Sequence, residues 1–212
     1  MVENKIQLDT PGYVIYDYIR VYDDVMNPKV LNKLFLYAKN KPSFCRTKES
    51  FITNNLEGNF KNHEVRKSTS EPLAAYGDIS MTGVILCNYL MSYLTFHAQD
   101  YMNNHSIIFD NNRPQSVLIN QIELLRYKKT EYFQIHVDSG STAMRTLSFI
   151  FMINDDYEGG KLKFILPTNK NKEMEIKPKS NRLIIFPSNF MFPHVVEPVK
   201  SGERYTVVAW AL

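Results

Sequence analysis

Residues 133–160 read FQIHVDSGSTAMRTLSFIFMINDDYEGG. The run is mostly apolar and β-forming, yet it carries His136 and Asp138 two positions apart. In a strand, side chains at i and i+2 point to the same face. An imidazole and a carboxylate therefore share a face. That face looks either into water or toward something that takes a nitrogen and an oxygen together. On this pattern Ile135 and Val137 should pack on the opposite side.

From about Gln115 onward the same texture continues. SVLINQIELLRY, EYFQIHVD, MRTLSFIFMIN, GGKLKFIL, EMEIKPK, NRLIIFPS, HVVEPV and RYTVVAWAL are short β-rich runs. Turn signals separate them at Ser139-Gly140, Gly159-Gly160, Asn169-Lys170-Asn171 and Ser201-Gly202. Many short strands at this spacing indicate a sandwich or barrel.

The N-terminal part differs. YVIYDYIRVYDD reads as a strand. NPKVLNKLFLYAKN reads as a helix, with Asn27 as cap, Pro28 in the first turn and Val30, Leu31, Leu34, Phe35 and Ala38 on one face. MTGVILCNYLMSYLTFHAQDYM is a longer helix, apolar around much of its circumference and so expected to be well buried. VRKSTS reads as a short strand. The fold class expected is α+β, with helices packed on a β core. At 212 residues the chain suits one domain, with helical support over about 1–110 and the β core over about 115–212.

Composition excludes several classes. With 44% hydrophobic residues the chain is not a disordered tail, and no segment is apolar for long enough to span a bilayer. A net charge of +3 does not argue for nucleic acid. The Lys161, Lys163, Lys170, Lys172, Lys177 and Lys179 tract is interrupted by Glu173 and Glu175, as in a solvated hairpin. Cys45 and Cys87 form neither a disulfide framework nor a metal pair by spacing. The opening residues lack the pattern of a secretory signal. A reducing, cytoplasmic setting is the expectation.

His194, in FPSNFMFPHVVEPV, is the second histidine of interest. Two histidines and a carboxylate make a facial triad, which holds non-haem Fe(II) and leaves positions open for co-substrate and oxygen. Zn²⁺ with a hydrolytic water fits the same three residues. Arg204 follows on the next strand, where its planar fork suits a carboxylate. Tyr127 precedes His136 and can offer a hydroxyl to the same anion.

These residues resemble the prolyl 4-hydroxylase-like branch of the iron(II)- and 2-oxoglutarate-dependent dioxygenases. YKKTEYFQIHVD resembles that family's Tyr-x-x-Gly-x-Tyr-x-x-x-His-x-Asp pattern. RTLSFIFMINDDYEGGKLKF resembles its Gly-Gly-x-Leu-x-Phe strand and the strand before it. IKPKSNRLIIF resembles its hairpin, PHVVEPVKSGERYTVVAW its distal-histidine segment, and VRKSTS its Arg-x-Ser strand. The resemblance covers about residues 64–212.

What the resemblance implies is a double-stranded β-helix, or jelly roll, with supporting N-terminal helices. His136, Asp138 and His194 would be ligands of Fe(II). Arg204, helped by Tyr127, would hold the distal carboxylate of 2-oxoglutarate, with O₂ as the other co-substrate and ascorbate as a supporting reductant. The reaction implied is hydroxylation of a C–H bond, that of a prolyl residue in a peptide or protein, with release of succinate and CO₂. Arg66, Phe44, Phe51 and Phe60 would be substrate contacts.

The sequence departs from the family pattern at Thr130 and Asn181, where the family has turn glycines, and at Met152, where a second hydroxyl is expected. The Thr130 turn is expected to be reshaped; Asn181 tolerates the left-handed conformation. Two alternatives stay open: the same chemistry on a small molecule, amino acid or nucleobase, and a non-catalytic jelly-roll binding module. The polar stretch from Pro42 to Asn62 is expected to be a long loop acting as a flap over the site.

Overall fold

The computed structural model describes residues 15–41, 52–54, 58–60, 65–73, 80–105, 117–140, 144–166 and 169–212. A single 3-10 turn, Ile15–Tyr18, leads into β1 (Arg20–Asp23) and α1 (Pro28–Lys39). Of the strand expected at 13–24, the described residues form the 3-10 turn at 15–18 and the strand at 20–23. There the Tyr18 carbonyl accepts from the Tyr101 hydroxyl at 2.9 Å, a long-range bond that overrides local β preference. A ribbon of β2 (Ile52–Asn54) and β3 (Gly58–Phe60) follows, then β4 (Arg66–Lys67) and β5 (Thr69–Pro72).

α1 begins as its sequence dictates. The Asn27 side chain accepts from the Lys29 N–H at 2.9 Å and Pro28 opens the first turn. Leu34 and Ala38 are fully buried, with Val30, Leu31 and Phe35 packed around them. α2 (Met81–Asn104) buries one stripe, Gly83, Leu86, Leu90, Leu94, Ala98, Tyr101 and Met102. Met81, Ile85, Tyr89 and Phe96 face outward and are exposed. The expectation of a well-buried helix is corrected to burial of one face, because among the described residues α2 packs on one side of a sheet with α1 beside it. α1 comes close enough that a Cβ on Gly83 would meet the Tyr37 hydroxyl at 2.7 Å.

The remaining strands are β6 (Ile119–Tyr127), β7 (Tyr132–His136), β8 (Leu147–Met152), β9 (Glu158–Gly159), β10 (Leu162–Leu166), β11 (Asn169–Ile176), β12 (Arg182–Pro187), β13 (His194–Val196), β14 (Val199–Ser201) and β15 (Arg204–Ala211). They form a six-stranded sheet ordered β1-β12-β8-β15-β6-β5 and a five-stranded sheet ordered β11-β10-β13-β7-β4. Each pair of neighbours within them is antiparallel. This is the jelly-roll arrangement that the resemblance implied, with the two sheets facing each other but not closed into a barrel. Asn169–Asn171 lies in β11 rather than in a turn, since Asn169 already pairs with Leu166.

Three layers result. Leu124, Phe149, Phe151, Leu183, Tyr205 and Val207 of the six-stranded sheet pack on Leu34, Leu86, Leu90 and Leu94 of the helices. Leu125, Ile150, Met152, Ile184 and Phe186, from the opposite face, pack on Leu162, Phe164, Ile176 and Val196 of the five-stranded sheet. The larger sheet is therefore buried on both sides, and every residue of β8 is buried. That is why LSFIFM is a continuous apolar run and not an alternating one. Each such side chain contributes about 1.5–3 kcal/mol on burial.

Two departures from the family pattern are resolved locally. Thr130 itself adopts φ 71° and Asn181 φ 64°, the left-handed conformation a glycine takes freely. The turn after Tyr127 thus keeps its left-handed residue, against the expectation of a reshaped turn. It is held by the Thr130 N–H donating to the Val199 carbonyl at 2.8 Å. Asn181 also clamps Met26, accepting from its N–H at 2.8 Å and donating to its carbonyl at 2.7 Å. The lysine hairpin is a charge ladder: Lys161 pairs with Glu175 at 2.9 Å, and Lys163 with Glu173 and Glu197 at 2.6 and 2.7 Å.

Candidate metal and co-substrate site

His136 and His194 are direct cross-strand partners on β7 and β13. Cβ atoms of such a pair lie close together, so both rings reach one point. Asp138, just past the end of β7, completes the group. One ligand-capable atom from each of the three lies within 4.8 Å of the others. The His136 Nε2 is 3.6 Å from Asp138 Oδ1, and the His194 Nε2 is 3.7 Å from Asp138 Oδ2.

The tautomers follow from the other ring nitrogens. His136 Nδ1 lies 2.8 Å from the Gln134 carbonyl and His194 Nδ1 lies 3.1 Å from the Phe192 carbonyl. A carbonyl only accepts, so each Nδ1 carries the proton and each Nε2 presents its lone pair. Burial, and then the neighbouring His136, push the His194 imidazole down to about 4, which keeps it neutral at physiological pH. Burial alone would raise the Asp138 carboxyl; His194 and His136 outweigh it and hold it well below the usual carboxylate range. Two imidazole nitrogens and a carboxylate fit a divalent metal. Among the described residues this is the one cluster of the kind.

The alternation expected around His136 is broken by a β-bulge. His194 pairs with His136 but Val196 pairs with Phe133, so β7 carries one extra residue. Phe133 and His136, three apart, therefore lie against each other, with ring centroids at 3.5 Å and planes at 14°. Ile135 and Val137 are 57% and 37% exposed, so the expected packing on the other side is corrected: that side is solvent. Phe133 lines the pocket together with the triad.

The triad opens onto a pocket between the sheets that runs down to Arg204. Arg204 is 1% exposed and lies face to face with its cross-strand partner Tyr127, the guanidinium 5.0 Å from the ring centre. Its Nη1 donates to Thr206 Oγ1 at 3.0 Å, and its buried Nε has no partner. Among the described residues no carboxylate pairs with it. A buried guanidinium without an anion is costly, so the pocket is built for one. Met152 brings no hydroxyl, as its sequence required; Thr206, its direct partner on β15, supplies one instead. The sequence reading missed Thr206, although its i+2 spacing from Arg204 puts both on one face.

Arg66 lies at the rim on β4, its guanidinium 4.7 Å from the Phe133 ring centre and its Nε donating to Ser68 Oγ at 3.0 Å. Phe44 and Phe51 lie outside the described residues, as does most of the expected flap. Of Phe60 only its place in β3, opposite Ile52, is described. No helix among the described residues is long and apolar enough to cross a membrane.

The facing sheets of the jelly roll thus carry a His-x-Asp…His cluster and a buried arginine in one pocket. Residues 122–212 match the model of the 2OG-Fe(II) oxygenase superfamily. The PKHD-type hydroxylase of Synechococcus sp. (strain CC9902) is 33% identical over 102 residues, 46% of this chain and 41% of that protein. Prolyl 3-hydroxylase 2 of Rattus norvegicus is 39% identical over 66 residues, 31% of this chain and 9% of that protein. The chain thus spans less than half the length of the curated relatives it matches. A Trichoplax adhaerens prolyl hydroxylase, solved with a hypoxia inducible factor peptide fragment, superposes with a TM-score of 0.66 at 18% identity. That superposition covers 92% of this chain and 83% of the other, and it speaks for the fold. The comparisons thus show a segment similar to the 2OG-Fe(II) oxygenases over residues 122–212, with hydroxylases among its sequence relatives and a prolyl hydroxylase among its fold neighbours.

Proposed function

We propose that the chain is an Fe(II)- and 2-oxoglutarate-dependent dioxygenase that hydroxylates a prolyl residue in a peptide or protein. His136, Asp138 and His194 would hold Fe(II), and Arg204, Thr206 and Tyr127 the distal carboxylate of 2-oxoglutarate. Residues 1–212 would act as one domain, in a reducing cytoplasmic setting where Fe(II) persists. The observation that carries the reading is Arg204: a buried guanidinium without an anion, at the closed end of the pocket that the triad opens. A buried cation beside the triad fits a dicarboxylate co-substrate that reaches the metal, and a binding module that had lost catalysis has no reason to keep all four groups.

When bound, Fe(II), 2-oxoglutarate and O₂ would supply the oxidative chemistry, giving succinate and CO₂, with ascorbate as a supporting reductant. The chain's own work is positional. Leu125, Ile150 and Val208 line the pocket with apolar surface and keep water from it. Phe133 holds the His136 ring in plane, and Arg66 stands at the rim where a substrate backbone enters. Prolyl peptides support the choice of substrate because the relatives at 33–39% identity are hydroxylases, one of them named for prolyl residues.

The test is succinate release with Fe(II), 2-oxoglutarate and a panel of prolyl peptides, free proline and nucleosides. A prolyl peptide should stimulate turnover above the uncoupled rate and gain one oxygen. Stimulation by free proline or a nucleoside alone overturns the substrate assignment.

A further inference from the structure

We propose that Arg145 is a positioning residue for Asp138: its guanidinium ties the backbone of the candidate metal ligand to the paired inner strands β6 and β15 of the six-stranded sheet. The inference rests on the oxygenase reading of the site.

Asp138 lies beyond the end of β7, so no strand ladder fixes it. Its peptide group is instead pinned at both ends. Arg145 Nη1 donates to the Asp138 carbonyl at 3.2 Å, and the following N–H, of Ser139, donates to the Ser188 carbonyl at 2.9 Å. With that plane held, the backbone dihedrals that aim the carboxylate have little freedom.

The guanidinium is itself immobilised. Its Nη2 donates to Gln121 Oε1 at 3.1 Å, and its flat face lies 3.7 Å from the Trp210 ring centre. Gln121 and Trp210 are direct cross-strand partners on β6 and β15, two adjacent inner strands of the sheet. The Gln121 amide is oriented in turn, because its nitrogen donates to Glu123, whose other oxygen accepts from Ser70 Oγ at 2.6 Å. Ser70, Glu123, Gln121 and Arg145 thus form one chain of hydrogen bonds from β5 to the ligand. Only a planar fork can lie flat on an indole while donating in two directions; an ammonium is a single point donor.

Partners behind a metal ligand typically carry a 10–100-fold effect on metal affinity. Anaerobic Co(II) titration, followed by calorimetry and by visible absorption, reads this without turnover. Arg145→Ala should weaken Co(II) binding about tenfold or more and change the Co(II) spectrum, while the metal-free protein keeps its melting temperature. Arg145→Lys should not restore either. Gln121→Ala should shift both in the same direction, and the double variant should go no further than Arg145→Ala. Wild-type Co(II) affinity and spectrum in Arg145→Ala overturn the inference, including the case where only the peptide KM rises. Should Arg145→Ala fail to fold, an unchanged Co(II) affinity in Gln121→Ala overturns it equally. If the unmodified chain binds no Co(II), the metal-site reading falls and takes this inference with it; if it binds and the variants match it, only the positioning role falls.

Discussion

Arg204→Met should move stability and co-substrate binding in opposite directions. In the free protein the guanidinium is 1% exposed, its Nε is unpartnered and a single hydroxyl, Thr206, accepts from it. Replacing a buried, poorly paired charge by an apolar side chain of similar length is neutral or stabilising by about 1–4 kcal/mol. With 2-oxoglutarate bound as proposed, the same group would make charged hydrogen bonds to a carboxylate, each worth about 1.5–3 kcal/mol. Two of them amount to about 3–6 kcal/mol, or roughly 10²- to 10⁴-fold in affinity at 1.4 kcal/mol per tenfold. Thr206 and Tyr127 remain in place, so the lower end, about 100-fold, is expected. Calorimetric titration of 2-oxoglutarate into the Mn(II)-loaded protein measures the second effect, and urea denaturation of the metal-free protein the first. An affinity within about threefold of the unmodified protein means the carboxylate is anchored elsewhere. A loss of more than about 2 kcal/mol in the metal-free variant means Arg204 already has a partner and the pocket is not waiting for an anion.

Thr130→Gly should raise stability by about 1 kcal/mol: a β-branched residue at φ 71° carries about 1–3 kcal/mol of strain, only partly offset by the added freedom of glycine in the unfolded chain. An unchanged or lower denaturation midpoint contradicts this. Asp23→Asn should destabilise the protein at neutral pH and lose its effect in acid. Arg182, first, then Lys179 hold the Asp23 carboxyl down at about 2, below its ordinary 3.8. A depressed folded value gives stability that is fully present above the ordinary value and is lost as pH falls through about 2. The two denaturation midpoints should therefore converge as acid is added; a gap independent of pH would show that the pair contributes nothing through its charge.

The architecture was legible in the sequence where hydrophobic period and turn chemistry agree. Asn27-Pro28 marked the start of α1, Gly159-Gly160 the turn between β9 and β10, and the run of β-rich segments the jelly roll. His136, Asp138 and His194 were legible because strand period puts the first two on one face and the family order of motifs supplies the third. Three features were not. The bulge in β7 depends on how β13 pairs with it, and no local signal in YFQIH announces one; it laid Phe133 against His136, while Ile135 faces solvent. Thr206 was hidden because a hydroxyl two residues after an arginine is ordinary in a strand, and its value appears only when Met152 is seen to be its partner. Arg145 reaches Asp138 across a loop and Gln121 across the sheet, contacts that spacing along the chain does not encode. α2 was overread because its composition is apolar all round while its neighbours cover one face.

The account stands most directly on one measurement: succinate formed from 2-oxoglutarate under air, with and without Fe(II), for the unmodified chain and for His194→Ala. The unmodified chain should turn over 2-oxoglutarate only when Fe(II) is present, and a chelator in excess should stop it. His194→Ala, which removes the most buried of the three candidate ligands, should form no succinate while still folding. Succinate formation that survives the chelator or the His194→Ala substitution would contradict the metal site at His136, Asp138 and His194.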